Sequence, residues 1–357
     1  MGDQVAMRAS TGTATGSDAS RPRLQDVAGR AGVSLATASR VLNGSSRQPG
    51  AELVERVRTA AHELGYVVNA QAQALARSRT GLLGLVVQDI SDPYFSSIAA
   101  GAQSVAREQG LHLLLASTDR DPEAERDAVS AFAAHRADGI VVVGSRWGGK
   151  HDAALRRELA VYTSAGGVAV VVGQPLAGAL TVQPPNVEGA RALAHALVDL
   201  GLRRFAVVAG PERIVTSRER SDSFAGGVLG RGGHVETVIA TQFSRDGGFA
   251  AAEQVARLAR ADAPRLCVFA VSDVMAIGLM AGLRRLGVEA PRDVLVAGFD
   301  DVPTLRDHTP GLTTVRIPLV EMGRRAVLAA VDASRTPGLE PLEAEVVLRE
   351  STSPPRR

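Results

Sequence analysis

The chain has 357 residues, 45% hydrophobic and 22% charged, with a formal net charge of +2. That length exceeds one small domain and suits two or three compact units. Its single cysteine, Cys267, excludes an intrachain disulfide framework and fits a reducing cytoplasm; no run approaches the ~20 apolar residues that span a membrane.

Residues 1–20 are rich in Ser, Thr, Gly and Ala, lack the apolar core of a secretory signal, and read as a disordered arm. Residues 21–80 carry nine arginines against four acids, which leaves residues 81–357 mildly acidic. A basic front on an acidic body suggests a polyanion partner, although an arginine-rich composition alone would produce the same excess.

Three short helices are predicted within the basic segment. The first covers 24–31, with Leu24, Val27, Ala28 and Ala31 at helical spacing and Asp26 in its first turn, where the helix dipole favours a carboxylate. Gly32 supplies the corner after it. The second runs from Leu35 to Leu42, with Ser34 placed to cap it. The third runs from about Ala51 to Leu64 and ends at Gly65. Two short helices joined through glycine and buried by a third form a helix-turn-helix arrangement, whose second helix enters the major groove of double-stranded DNA. Its exposed set of Ser34, Leu35, Ala36, Thr37, Ser39 and Arg40 suits that groove, with Arg40 able to reach a guanine edge or a phosphate.

The run from Leu24-Gln25-Asp26-Val27-Ala28 through Val33-Ser34-Leu35-Ala36-Thr37-Ala38-Ser39-Arg40 to Asn43-Gly44 resembles the headpiece of the lactose-repressor (LacI/GalR) family. Glu63-Leu64-Gly65-Tyr66-Val67-Val68-Asn69 is similar to the end of that headpiece. The resemblance implies that Leu35, Ala36 and Arg40 read bases, while Ser34, Thr37, Ser39 and Asn43 contact or position phosphates. It also implies a hinge segment over residues 69–80, in which Asn69 and Ala72 contact DNA and Leu75 wedges into the minor groove. Without the resemblance, that segment reads as an ordinary exposed linker. Arg23 departs from the threonine cap usual in the family, which weakens the first cap.

Beyond residue 81, apolar runs alternate with helical stretches. Strands are predicted at 82–87, 111–115, 140–143, 168–172, 205–208, 235–240, 266–270 and 294–297. Continuous apolar strands separated by helices indicate parallel sheets covered on both faces, and eight such units indicate two α/β lobes. Ligands in such sheets sit beyond the C-terminal strand ends. There the segments Gln88-Asp89-Ile90-Ser91-Asp92-Pro93-Tyr94-Phe95 and Gly298-Phe299-Asp300-Asp301 again resemble the family, as do the Arg220 segment and residues 312–326. The whole-chain resemblance implies an all-α helix-turn-helix headpiece over 21–68 and, over 81–357, an α/β periplasmic-binding-protein-like core of two doubly wound parallel-sheet lobes that binds effector and dimerises. Asp89, Ser91, Tyr94, Phe95, Arg220, Phe243, Ser272 and Asp300 are the expected effector contacts. Arg220 would donate and Asp300 accept, unless the two simply pair with each other.

Three departures bear on the ligand. Ser272-Asp273 replaces the common Asn-Asp, Gly173-Gln174 replaces Asp-Arg, and Pro184-Pro185-Asn186 replaces an Asp-Asn pair. A cleft less acidic than a standard sugar site is therefore expected. A sugar or sugar derivative is the first expectation for the effector; a nucleobase or other co-repressor is the alternative. The sequence has no Gly-x-Ser-x-Gly, His-Glu-x-x-His or Walker loop and no metal-ligand spacing, so neither an enzyme nor a cofactor is expected. A solute-binding protein for transport would share the two lobes but has no use for the basic front. The expected protein is a cytoplasmic homodimer, without membrane contact, that regulates transcription at a pseudo-palindromic operator.

Overall fold

A computed structural model describes residues 22–43, 49–67, 79–259, 264–332 and 341–353. The chain divides into two compact units, Met1–Thr80 and Gly81–Arg357. In the first, helices α1 (Leu24–Ala31), α2 (Leu35–Asn43) and α3 (Ala51–Glu63) bury Val27, Ala28, Ala31, Ala38, Val57, Ala60 and Ala61 between them. An arginine side chain has no acceptor with which to cap α1. Instead the Asp26 carboxylate reaches back and accepts from the Arg23 backbone N–H at 2.7 Å. Gly32 ends α1 with φ 63°, and the Arg56 guanidinium donates to the Ala31 carbonyl at 2.6 Å.

The second unit opens with β1 (Leu82–Val87), α4 (Pro93–Glu108), β2 (His112–Ser117), α5 (Pro122–Ala134), β3 (Gly139–Val143), α6 (Gly149–Ser164), β4 (Val168–Val172) and β5 (Leu180–Val182). These strands form one parallel sheet in the order β2-β1-β3-β4-β5. The chain then runs through α7 (Asn186–Asp199), β6 (Arg204–Ala209), α8 (Val215–Leu229), β7 (His234–Ala240), α9 (Arg245–Ala250), α10 (Ala252–Leu258), β8 (Cys267–Ala270), α11 (Asp273–Arg285) and β9 (Leu295–Ala297). A second parallel sheet, in the order β7-β6-β8-β9, makes the other lobe. The central strands β1, β3, β4, β6 and β8 are buried along nearly their whole length, as strands covered on both faces must be, whereas the edge strands β2 and β7 are largely exposed.

The predicted strands are all present, with ends displaced by up to two residues. Three three-residue strands lie outside the prediction: β5, β10 (Thr314–Arg316) and β11 (Glu345–Val347). Each is too short to carry a periodicity. The last two pair antiparallel with each other. Between them α12 (Leu319–Val331) returns from the second lobe to pack on α4 of the first.

Glycines set how closely those two helices approach. A Cβ at Gly101 would strike the Val320 carbonyl, and one at Gly323 would strike the Ile98 carbonyl. The crossing therefore brings backbone against backbone at both positions. We expect Gly101→Ala and Gly323→Ala each to cost about 1–3 kcal/mol in urea unfolding, because overpacking there must push the helices apart. Wild-type stability in both variants would show that the crossing yields freely.

Candidate functional site

The exposed end of α2 is the first candidate site. Ser34 caps the helix: its Oγ accepts from the Thr37 N–H at 3.2 Å and lies 2.8 Å from the Thr37 hydroxyl. Asn43 donates to the Ser39 Oγ at 2.9 Å. Ser34, Leu35, Ala36 and Arg40 are exposed, and Thr37 and Ser39 are half-buried beneath them. Among the described residues the Arg40 side chain has no hydrogen-bond or ion-pair partner. The surface thus offers hydroxyls, a free guanidinium and the N–H end of a helix, which together suit a phosphate backbone and a base edge. Asn69, Ala72 and Leu75, expected to make the second DNA contact, lie outside the described residues.

The second candidate is a narrow cleft between the two lobes, beyond the C-terminal ends of their strands, with about 410 Å³ of empty space that includes open solvent at its mouth. It brings together six of the eight expected residues: Tyr94, Phe95, Arg220, Phe243, Ser272 and Asp300. Asp89 and Ser91 do not line it. The Asp89 Oδ1 accepts from the Ser91 N–H at 2.9 Å and from its hydroxyl at 2.6 Å, so the two close an Asx turn on each other. The structure therefore places these two expected contacts outside the cleft lining.

Arg220 is the largest fully buried side chain among the described residues. Its Nε donates to the Asn186 Oδ1 at 2.9 Å, its Nη1 donates to the Val271 carbonyl at 2.8 Å, and its Nη2 lies 2.9 Å from the Asp300 Oδ1. The guanidinium also stacks 3.9 Å from the Phe299 ring centroid. Arg220 and Asp300 therefore do pair in this structure. The contact lies off the hydrogen-bond direction, however, and leaves the Asp300 Oδ1 without a true donor. Burial pushes the Asp300 carboxyl upward, and Arg220 pulls against that shift. Asp300 and Asp301 both hold positive φ, 119° and 54°, a strained turn of the kind found at functional sites.

Several cleft residues escape a reading of the sequence alone. The first is Asp92. Its Oδ1 caps α4 by accepting from the Tyr94 N–H at 3.0 Å, and its Oδ2 faces Arg120 at 3.4 Å. Burial raises its carboxyl and lowers the Arg120 guanidinium. In the sequence the Asp92-Pro93 pair signals only a helix start. Arg120 sits in a left-handed turn, φ 62°, with its guanidinium 5.5 Å from the Phe95 centroid and 5.3 Å from that of Phe243. No pattern marks it, though its place beyond β2 is where an α/β ligand residue belongs. The cleft thus holds two carboxylates and two guanidinia flanked by aromatic faces.

Gly173 has a backbone reason to be glycine. Its φ is 150°, and a Cβ there would strike the Gly144 carbonyl. The neighbouring Gln174 joins the lobes instead. Its Nε2 donates to the Thr216 Oγ1 and the Glu219 Oε2, both at 3.0 Å, and its Oε1 accepts from the Arg146 N–H at 3.0 Å. The Asn186 side chain donates to the same Glu219 oxygen at 2.9 Å. Two backbone donors of the second lobe complete the seam: the Val215 N–H to the Arg146 carbonyl at 3.1 Å, and the Thr216 N–H to the Ser145 Oγ at 3.0 Å.

Trp147 stands apart from the cleft. Arg213 stacks on its ring at 5.1 Å, and the Asp152 carboxylate accepts from the Trp147 and Gly148 N–H groups at 3.2 and 2.8 Å, which anchors the loop.

The seam predicts a dynamic consequence. Gln174→Ala removes a side-chain amide that joins both Thr216 and Glu219 to the first lobe. Hydrogen exchange at the Val215 and Thr216 amides should then speed about tenfold relative to the α8 interior. Unchanged protection at both amides would mean that the backbone contacts hold the lobes closed unaided.

Comparison with known proteins follows the same division. Residues 23–69 match the family model of bacterial regulatory proteins, lacI family, and residues 194–352 match the periplasmic binding protein-like domain. The transcriptional regulator CelR of Thermobifida fusca is 32% identical over 347 residues, covering 93% of this chain and 98% of that protein. The transcriptional repressor CytR of Escherichia coli K12 is 28% identical, with 92% and 96% covered. Among solved structures, the lac repressor dimer bound to operator and an anti-inducer superposes with a TM-score of 0.79 at 25% identity, covering 93% and 99% of the two chains. The CelR–cellobiose complex superposes with a TM-score of 0.64 at 31% identity, covering 93% and 100%. With a helix-turn-helix unit and a two-lobed core both matched along the chain, the protein belongs to the lacI family of bacterial transcription regulators.

Proposed function

We propose that this regulator is a cytoplasmic repressor. It binds a pseudo-palindromic operator as a homodimer and is controlled by a hydroxyl-rich small molecule, a sugar or sugar derivative, held between its lobes. In this reading residues 21–68 bind DNA, residues 69–80 form the hinge, and residues 81–357 sense the effector and dimerise. Among the described residues no helix is long and apolar enough to cross a membrane.

The observation that carries the ligand assignment is the buried Arg220–Asp300 pair lining one cleft together with Phe95 and Phe243. A fork of donors beside a carboxylate with an unsatisfied oxygen matches vicinal hydroxyls, and aromatic rings cover the apolar face of a sugar. Asp92 and Arg120, opposite one another in the same cleft, extend that polarity to the first lobe. The CelR structure, a cellobiose complex, supports the same class of ligand. In the headpiece, Leu35 and Ala36 offer only apolar contact, suited to thymine methyls. Sequence reading then falls on Arg40 and on bending of the duplex around Leu75.

Two measurements test this reading. In fluorescence anisotropy with the operator, Arg40→Ala should weaken specific binding roughly 5- to 150-fold, the equivalent of about 1–3 kcal/mol, and do so most at one base pair of each half-site. An equal loss across all sequences would make Arg40 a phosphate contact only. In a thermal-shift screen of mono- and disaccharides and their phosphates, the effector should raise the melting temperature of the wild type. Arg220→Lys, which keeps the charge but loses the fork, should abolish that rise. A rise that survives the change places the ligand outside the cleft.

A further inference from the structure

A second cavity, of about 500 Å³, shares no residue with the effector cleft. It lies where the chain crosses between the lobes. Ser97 of α4 and the start of α12 at Leu319 and Val320 contribute from one side. The turn after β9 contributes Asp301 and Arg306, β10 contributes Arg316, and the segment just beyond β11 contributes Arg349.

Three guanidinia thus meet one carboxylate in this space. Asp301 serves two of them, with its Oδ2 2.7 Å from the Arg316 Nε and its Oδ1 2.7 Å from the Arg349 Nη2. Arg316 also pairs with Glu345 at 2.7 Å, outside the cavity lining. The exposed Arg306 side chain has no hydrogen-bond or ion-pair partner among the described residues. The helix α12 opens onto the same space with no side-chain cap at Pro318. Ile317, Leu319 and Val320 add an apolar wall. Surplus guanidinium charge in a concavity of small-molecule size, beside an apolar wall, is the recognition chemistry of a small organic anion.

We propose that this cavity is a second ligand site, distinct from the effector cleft, which binds a phosphorylated small metabolite through Arg306, Arg316 and Arg349. Its position couples it to the cleft by one peptide unit. Asp300 lines the cleft and the next residue, Asp301, lines the cavity, in a turn where both residues hold positive φ. A phosphate competing with Asp301 for Arg316 and Arg349 loosens that turn. The Asp300 N–H donates to the Val315 carbonyl at 2.8 Å within it, so the strain reaches the partner of Arg220. Each ligand then alters the affinity for the other, as linkage requires.

Isothermal titration of the full chain with sodium pyrophosphate, against chloride at matched ionic strength, tests the site. Saturable binding of one pyrophosphate per chain is expected, at least tenfold weaker in Arg306→Glu and several-fold weaker in Arg306→Ala. Because Arg306 makes no hydrogen bond or ion pair among the described residues, both variants should keep the wild-type melting temperature. Arg40→Ala and Arg120→Ala, which alter the two other basic surfaces, should leave the affinity unchanged. Pyrophosphate should also speed hydrogen exchange at the Asp300 amide. The proposal is overturned if no saturable binding occurs, if Arg306→Glu binds as the wild type does, or if the affinity instead falls in Arg40→Ala or Arg120→Ala. Exchange at Asp300 unmoved by saturating pyrophosphate would overturn the coupling.

Discussion

One buried cation organises the second lobe. A guanidinium as deeply buried as that of Arg220 carries a desolvation cost of several kcal/mol unless its donors are satisfied. The second lobe meets that cost from four places. Asn186 stands at the start of α7, the Val271 carbonyl at the end of β8, Asp300 just beyond β9, and the Phe299 ring beneath the guanidinium plane. Elements far apart in the chain are thereby held at one point, and that point is the floor of the cleft. The same arrangement leaves a carboxylate oxygen without a directed donor, which is what the proposed hydroxyl-bearing ligand requires of the structural anchor.

From that floor a polar seam extends to the other lobe. Asn186 touches both Arg220 and Glu219, Glu219 accepts from Gln174, and Gln174 accepts from the backbone of Arg146. The Arg146 guanidinium is itself buried, paired with Glu125 at 2.9 and 3.1 Å. A ligand that rearranges Asp300 therefore perturbs a chain of hydrogen bonds ending in the core of the first lobe. A contiguous network of this kind is a physical route by which a change in the cleft can reach the other lobe. At the crossing of α4 and α12 the lobes instead meet backbone against backbone, at Gly101 and Gly323.

Much of this was legible in the sequence because it rests on repetition. Strands such as Val168–Val172, and the Val27, Ala28 and Ala31 face of the first helix, announce themselves by burial pattern. Arg220 and Asp300 stand in segments that carry the family's register. Residues without a pattern were not legible. Arg120 reaches the cleft only because a left-handed turn aims it there, and Asp92 hides behind its conventional role as a helix cap. Asp89 and Ser91 looked like ligands by position, yet two polar groups two residues apart satisfied each other first. Gly173 read as a missing carboxylate, whereas the backbone there leaves no room for any side chain. In each case the outcome turned on a backbone angle or a local hydrogen bond, which composition and periodicity do not encode.

The dependence of the second lobe on the Arg220–Asp300 pair is open to direct measurement by a double-mutant cycle in urea unfolding. Arg220→Met and Asp300→Asn each strand a buried partner and should each cost about 3–5 kcal/mol. The double variant, which strands neither charge, should lose at least ~1 kcal/mol less than the two single losses combined. Losses that add within about 0.5 kcal/mol would mean that the two side chains act independently, and the lobe would then owe its arrangement to something other than this pair.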